Sequence, residues 1–237
     1  MRQRGRPRGF DADAALESAT EVFWRQGYEG TSVNDLTAAM GINKPSLYAA
    51  YGGKEELFRK VVARYAEQDM GYARDALAQP TAYQVVAALL HDNVLAVTRP
   101  DRPAGCLSIQ GGTACSTQNT PVAAFLAASR LAGERALADR FTRAVTEGDL
   151  PADADPAALA RFVMVVTEGQ AVHAAAGVSR ADLHQAAEIA LAGFAAASGA
   201  RPPGAASVGD GAGPGTRGWP IGTPGAAGQR SSGQVTG

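Results

Sequence analysis

The sequence predicts an all-α fold with a small N-terminal unit and a larger C-terminal one. Three observations carry this. Apolar residues recur at every third or fourth position through most of the first 197 residues, the spacing of one helix face. No segment alternates in the manner of a strand. Alanine, the strongest helix former, supplies 50 of the 237 residues.

The elements follow in chain order. Leu16, Ala19 and Phe23 mark the first helix. In TSVNDLTAAMGINKPSLYAAYGGK, residues 31–54, Ser32 and Asp35 have the spacing of a capping box, and Val33, Leu36 and Met40 then share a face. Gly41 ends this second helix, because a left-handed C-terminal residue costs glycine nothing. Ile42 anchors the turn, and Asn43 or Lys44 opens a third helix. Pro45 falls in its first turn, where a missing N–H is harmless, and Leu47 is its inward anchor. Gly52-Gly53 precedes the stripe Leu57, Val61, Tyr65, and Pro80-Thr81 precedes Tyr83, Val86, Leu90, Val94 and Val97. Thr120-Pro121 opens a further helix. Asp155-Pro156 precedes Leu159, Phe162, Val163 and Val166, and Ser179 precedes Leu183, Ala187, Ala190, Leu191 and Phe194. About nine helices are expected on this pattern. From Ser198 to Gly237 the chain holds 12 Gly and 5 Pro in 40 residues. Such a segment buries too little apolar surface to offset its ordering entropy, so a disordered tail is expected, with Trp219 solvated in it.

Composition narrows the function. Lys and Arg total 22 against 23 Asp and Glu, for a net charge of -1. A globally cationic nucleic-acid binder is excluded, and any basic patch must be local. No apolar run approaches the length of a membrane span. The basic start MRQRGRPRGFD has no apolar stretch behind it, so no secretory leader is expected. Two cysteines cannot build a disulfide framework. The expectation is a cytoplasmic protein.

Two short helices joined by a tight glycine turn form a helix-turn-helix, although the same pattern also fits a plain helical hairpin. Two features favour nucleic acid. Arg2, Arg4, Arg6 and Arg8 stand together with no acid before Asp11, broken by Gly5 and Pro7. An extended arginine arm suits a narrow minor groove, and its RGRP core resembles an AT-hook; a solvated charged tail is the other reading. Lys44, Ser46, Tyr48 and Lys54 are polar residues on the outward side of the third helix and just beyond. Lys54 falls at a helix start, where free N–H groups also favour a phosphate.

The stretch GFDADAALESATEVFWRQGYEGTSVNDLTAAMGINKPSLYAAYGGKEELF resembles the N-terminal DNA-binding domain of the TetR family of transcriptional regulators. The resemblance implies an all-helical homodimer that is a repressor and not an enzyme, bound to a near-palindromic double-stranded operator and responsive to a small molecule. It implies a DNA-binding domain over residues 1–53 with its basic arm, including Arg4, Arg6 and Arg8. A ligand-binding and dimerisation domain would cover 54–197, and the tail 198–237. It implies phosphate contacts from Thr31 and Ser32, and major-groove placement of Lys44, Pro45, Ser46 and Tyr48. Tyr51 and Lys54 would pack at or touch the DNA backbone. Ala49-Ala50 departs from a Tyr-His pair frequent in the family, and Thr37 stands where a small Ala is usual. The arginine arm, found in only some members, would compensate for the contact so lost.

The last two helices carry small residues: Gly169, Ala171 and Ala174 to Ala176, then Ala186, Ala187, Ala190 and Gly193. Small faces permit close helix approach and suit a dimer, although codon bias would also enrich alanine. The interface expected takes in Gly169, His173, Ala187, Ala190, Leu191 and Phe194. For the pocket, the candidates are Leu90, Val94, Leu107, Gln110, Phe125, Phe141, Phe162, Val166 and Gln170. They are apolar apart from two amides, which favours an uncharged, lipophilic or aromatic effector.

Cysteine chemistry is the competing reading. GGTACSTQ around Cys115 resembles the nucleophilic segment of acyl-condensing enzymes, but such a nucleophile needs a strand-to-helix elbow and a nearby histidine. His91, His173 and His184 all fall in helical stripes. Cys106 and Cys115 could instead form a thiol redox switch, but no basic residue between them would lower a thiol pKa, and buried structural cysteine is the simpler reading. No CxxC or HxxxH spacing points to a metal, and no cofactor is expected.

Overall fold

The structure is a computed structural model that describes residues 11–112 and 116–204. Among these residues there are ten α-helices, one 3-10 turn and no strand. The expected tail from residue 205 on, with Trp219, lies outside them.

Three helices make the head: α1 (Ala12–Gly30), α2 (Val33–Met40) and α3 (Lys44–Tyr51). Asp11 caps α1 by accepting from the amides of Asp13 and Ala14. The Ser32–Asp35 capping box is present in both directions, at 3.1 and 2.8 Å. Gly41 stands at φ 65°, where a side chain would be strained, and so turns α2 into α3. Asn43 caps α3 through Ser46 N–H, with Pro45 in the first turn. Leu36 and Leu47 are fully buried, and Val33 and Ile42 pack on the same core. The helix-turn-helix read from the sequence is therefore folded as such rather than as a plain hairpin.

The rest of the chain builds the body: α4 (Lys54–Gln68), α5 (Gly71–Leu77), α6 (Ala82–Val97), α7 (Leu107–Gln110), a 3-10 turn (Thr117–Asn119), α8 (Thr120–Thr146), α9 (Pro156–Ala175) and α10 (Arg180–Ser198). Thr81, Asp155 and Ser179 cap α6, α9 and α10 with their side chains. Ten helices replace the nine expected. The short α5 and α7 span two turns or fewer, too little for an apolar period to register. The tail also begins later than Ser198. That residue is the last of α10, 4% exposed, and its hydroxyl donates to Phe194 C=O. Gly199 caps the helix, and Ala200 is buried.

Head and body share one apolar core. Phe23 and Tyr28 of α1 meet Phe58 of α4 edge-on, with centroids 4.9 and 5.1 Å apart. Trp24 meets Tyr65 at 5.0 Å. Within the body, α6 lies against α9 through Asn93, whose amide donates to Gln170 (2.6 Å) and to Thr167 C=O. Phe141 of α8 packs on Phe194 of α10 at 5.6 Å. Arg140 is buried and donates to Gln79 and Pro80 carbonyls, which closes the α5–α6 corner.

Candidate nucleic-acid interface and body cavity

The outward face of α3 presents Lys44, Pro45 and Tyr48, all exposed, with Ser46 half-buried. Tyr48 is 52% exposed, unusual for a large aromatic side chain on a helix whose Leu47 and Tyr51 are buried. Ser32, at the start of α2, is exposed as well. These residues sit on two capped helices whose inward sides are fixed in the core, a rigid base for a recognition surface.

Three further residues expected at DNA also have partners within the head. Thr31 is 2% exposed, and its hydroxyl donates to Gly27 C=O at 2.6 Å. That bond closes the break in α1, where Gly27 takes φ 69°. Tyr51 is buried and donates from its hydroxyl to Ala12 C=O, which ties α3 to the start of α1. Lys54 is half-buried, with Nζ 4.3 Å from the Tyr28 ring centroid. Lys60, which sequence spacing did not single out, is exposed and holds Ala50 C=O at the end of α3. Arg4, Arg6 and Arg8 lie outside the described residues.

The body encloses a cavity of about 280 Å³. Its wall draws on α4 (Val62, Tyr65), α5 (Tyr72), α6 (Leu89, Asn93), the start of α7 (Cys106, Ser108, Ile109), α8 (Phe125, Arg130) and α9 (Thr167, Glu168). Of the nine pocket residues expected, Phe125 alone is among these. Leu90, Val94, Leu107 and Phe141 are fully buried core residues. Gln110 accepts from Trp24 Nε1 at 3.1 Å, on the head side of α7. Gln170 stands one step behind the wall, holding Asn93 and Leu90 C=O. Phe162 is 38% exposed, and Val166 packs on the core. The helical stripes marked buried faces, and in these helices the buried face and the cavity face differ by one position: Leu89 lines the cavity where Leu90 does not. Tyr72 and Arg130 fall outside every apolar stripe, and Tyr65, which the α4 stripe did mark, reads there as core.

Burial raises the pKa of both wall tyrosines, with the neighbouring Cys106 adding to it, so both stay neutral hydroxyls. Glu168 is also pushed up by burial, with Arg130 pulling the other way. Cys106 is buried; its sulfur accepts from Tyr65 (3.3 Å) and pairs with Ser108 (3.0 Å). Cys115 lies outside the described residues.

One segment touches both cavity and head. Cys106, Ser108 and Ile109 line the cavity, while Gln110 binds Trp24 and Gly111 C=O accepts from Tyr28 N–H at 2.9 Å. Just before it, Arg102 pairs with Glu17 of α1 and with Asp69 at the end of α4, and Arg99 pairs with Asp69 at 3.0 Å.

The expected interface residues divide. Ala187, Leu191 and Phe194 are buried in the chain's own core. His173 is exposed, and Gly169 and Ala190 are half-exposed. The outer faces of α9 and α10 show larger residues instead: Val165 at 64%, Val172 at 53% and Ile189 at 70% exposure. Small-residue patterning thus took in residues from both the inward and the outward faces of these helices.

Among the described residues no cluster of His, Cys, Asp or Glu could hold a metal, and no helix is long and apolar enough to cross a membrane. The family model for bacterial regulatory proteins of the tetR family matches residues 15–61, and that for the tetracyclin repressor-like C-terminal domain matches residues 82–190. The HTH-type transcriptional repressor ComR of Escherichia coli (strain K12) is 35% identical over 195 residues, covering 80% of this chain and 91% of ComR. The TetR family regulator CifR, as a cysteine mutant complexed with 26bp double-strand operator DNA, is 42% identical with a TM-score of 0.76. That match covers 79% of this chain and 98% of CifR. A TetR regulator from Rhodococcus sp. RHA1 is 41% identical over 78% of this chain and 99% of its own, with a TM-score of 0.52. These relatives are transcriptional regulators, not enzymes. From capped head to helical body, this chain belongs to the TetR family of transcriptional regulators.

Proposed function

We infer that this regulator is a homodimeric repressor that leaves its operator when a small, mostly apolar molecule fills the body cavity. The observation that carries this is the α7 segment, which lines the cavity on one side and hydrogen-bonds α1 on the other. An occupant that favours a different placement of Cys106 to Ile109 acts on Trp24 and Tyr28 through bonds already made. It releases DNA only by as much as its affinity differs between the two arrangements.

In this reading residues 1–53 are the DNA-binding unit and 54–197 the sensing and dimerising unit, working in the cytoplasm. Ser32, Lys44, Pro45, Ser46 and Tyr48 meet the operator, with Thr31, Tyr51 and Lys54 holding the head in shape behind them. Two heads enter successive major grooves about 34 Å apart on a near-palindromic site. Val165, Val172 and Ile189 join Gly169, His173 and Ala190 in the dimer face. The support is their exposure on adjacent helices of one body.

The test is selection of bound fragments from random duplex DNA, followed by titration of the selected site with candidate effectors. A two-fold-related consensus released on effector binding is expected. Failure to enrich any duplex at modest ionic strength overturns the reading. The thiol switch fares less well, since Cys106 is buried and hydrogen-bonded. Cys106→Ala is expected to keep the response; its loss under oxidant titration would favour the switch.

A further inference from the structure

The polar groups on the cavity wall are of two kinds. Most are satisfied within the protein: Tyr65 donates to Cys106, Tyr72 to Asn93, Ser129 to Phe125 C=O and Thr167 to Met164 C=O. Arg130 and Glu168 differ: Nη1 of Arg130 makes a long 3.4 Å hydrogen bond to Ser108 C=O, and its Nε faces Glu168. Their Nε and Oε1 stand 3.9 Å apart, an ion pair too long for a direct hydrogen bond. Both also line the outer groove of Ala123, Ala127 and Val172, so they stand at the cavity mouth.

We propose that the cavity takes a compact, neutral, largely apolar molecule with one hydroxyl group, an alcohol or phenol, held by that hydroxyl between Arg130 and Glu168. The chemistry follows from the pair. A hydroxyl both donates and accepts, so it can give its proton to the carboxylate and take one from the guanidinium. An oxygen about 2.8 Å from each partner is compatible with their 3.9 Å separation. A cationic ligand meets Arg130, an anionic one meets Glu168, and neither satisfies both. Further in, the hydroxyl protons are already committed to partners within the protein, and Val62, Met70, Leu89 and Phe125 cover the ligand's apolar part. Size follows from volume: an apolar cavity of about 150 Å³ holds benzene, so one of about 280 Å³ holds roughly ten heavy atoms.

This rests on the functional reading above only in treating the cavity as the effector site. The experiment is calorimetric titration of the full chain with four probes of one shape: benzyl alcohol, toluene, benzylamine and benzoate. Benzyl alcohol is expected to bind at least about tenfold more tightly than toluene, the scale of one charge-assisted hydrogen bond, with both charged probes weaker still. Glu168→Leu is expected to erase the preference for alcohol while keeping toluene binding. Equal binding of toluene, tighter binding of either charged probe, or no benzyl alcohol binding in the millimolar range overturns the proposal. Fluorescence anisotropy of the selected duplex separates the two readings. Benzyl alcohol bound with DNA retained sinks the release mechanism and leaves the ligand chemistry standing. Toluene releasing DNA as well as benzyl alcohol does the reverse.

Discussion

Tyr48 exposes more than half its surface, whereas Leu47 beside it exposes none. Truncating a side chain in such a position removes few internal contacts. Tyr48→Ala is therefore expected to leave thermal stability within about 0.5 kcal/mol. Specific DNA affinity should fall by about 1–3 kcal/mol, the scale of a base contact. Melting curves and anisotropy check the two halves separately, and a dimer lost in gel filtration would show Tyr48 to be structural. Glu168 gives a pH prediction. Its carboxyl is raised in the fold, mainly by burial, so the folded chain holds that proton to higher pH than the unfolded one. Stability then falls as pH rises through the carboxylate range toward the raised value. Glu168→Gln is expected to remove this slope: more stable than the parent at pH 7, indistinguishable well below the carboxylate range. Melting temperatures measured across pH read the difference. At this scale the sequence was legible wherever a residue's role is fixed by its neighbours in sequence. Ser32, Gly41 and Asn43 are caps and turns, and the structure places each as its spacing demands. The Thr31–Gly27 hydrogen bond was not legible, because the Gly27 carbonyl becomes available only through the break in α1.

Helix starts in this chain are set by side-chain caps, and each is a separable contribution. Ser32→Ala removes one half of a capping box and is expected to cost about 1 kcal/mol, with chemical denaturation as the check. The effect on DNA affinity should be larger than that on global stability, since α2 positions α3 through Gly41. Long helices announced themselves: α6, α9 and α10 each carry a cap and several apolar turns. In α9 the apolar stripe took in the exposed Phe162; in α6 it marked the buried face but did not separate core from cavity wall. Both faces are apolar and inward, and only the three-dimensional spacing of α4 to α9 leaves a void at Leu89 rather than at Leu90. The short α5 and α7 were silent for a different reason: they owe their shape to neighbours rather than to their own pattern.

At the scale of the whole molecule, the dimer proposed above places its interface on the outer faces of α9 and α10. Val165, Val172 and Ile189 are exposed large apolar residues on these two helices, and such surface marks an interaction site where it is contiguous. Ile189→Arg and Val165→Arg are each expected to give a folded monomer by analytical ultracentrifugation, with helical circular dichroism retained. Ala187→Arg, at a fully buried site, should instead unfold the body. Composition spoke clearly at this scale, since a net charge of -1 confines any DNA affinity to local cations. Deleting residues 1–8 is expected to weaken DNA binding and flatten the slope of log affinity against log salt, because each phosphate-neutralising cation contributes about one unit.

A helix of four residues cannot sustain itself in water. α7 is held at one edge by Trp24 and Tyr28 and borders the cavity at the other; in the mechanism proposed above it is a hinge pin rather than a lever. Amide exchange there should report the molecule's state more sensitively than exchange anywhere in the long helices. Slowing confined to residues 107–111, before any global protection appears, would be the earliest physical trace of a message passing from body to head.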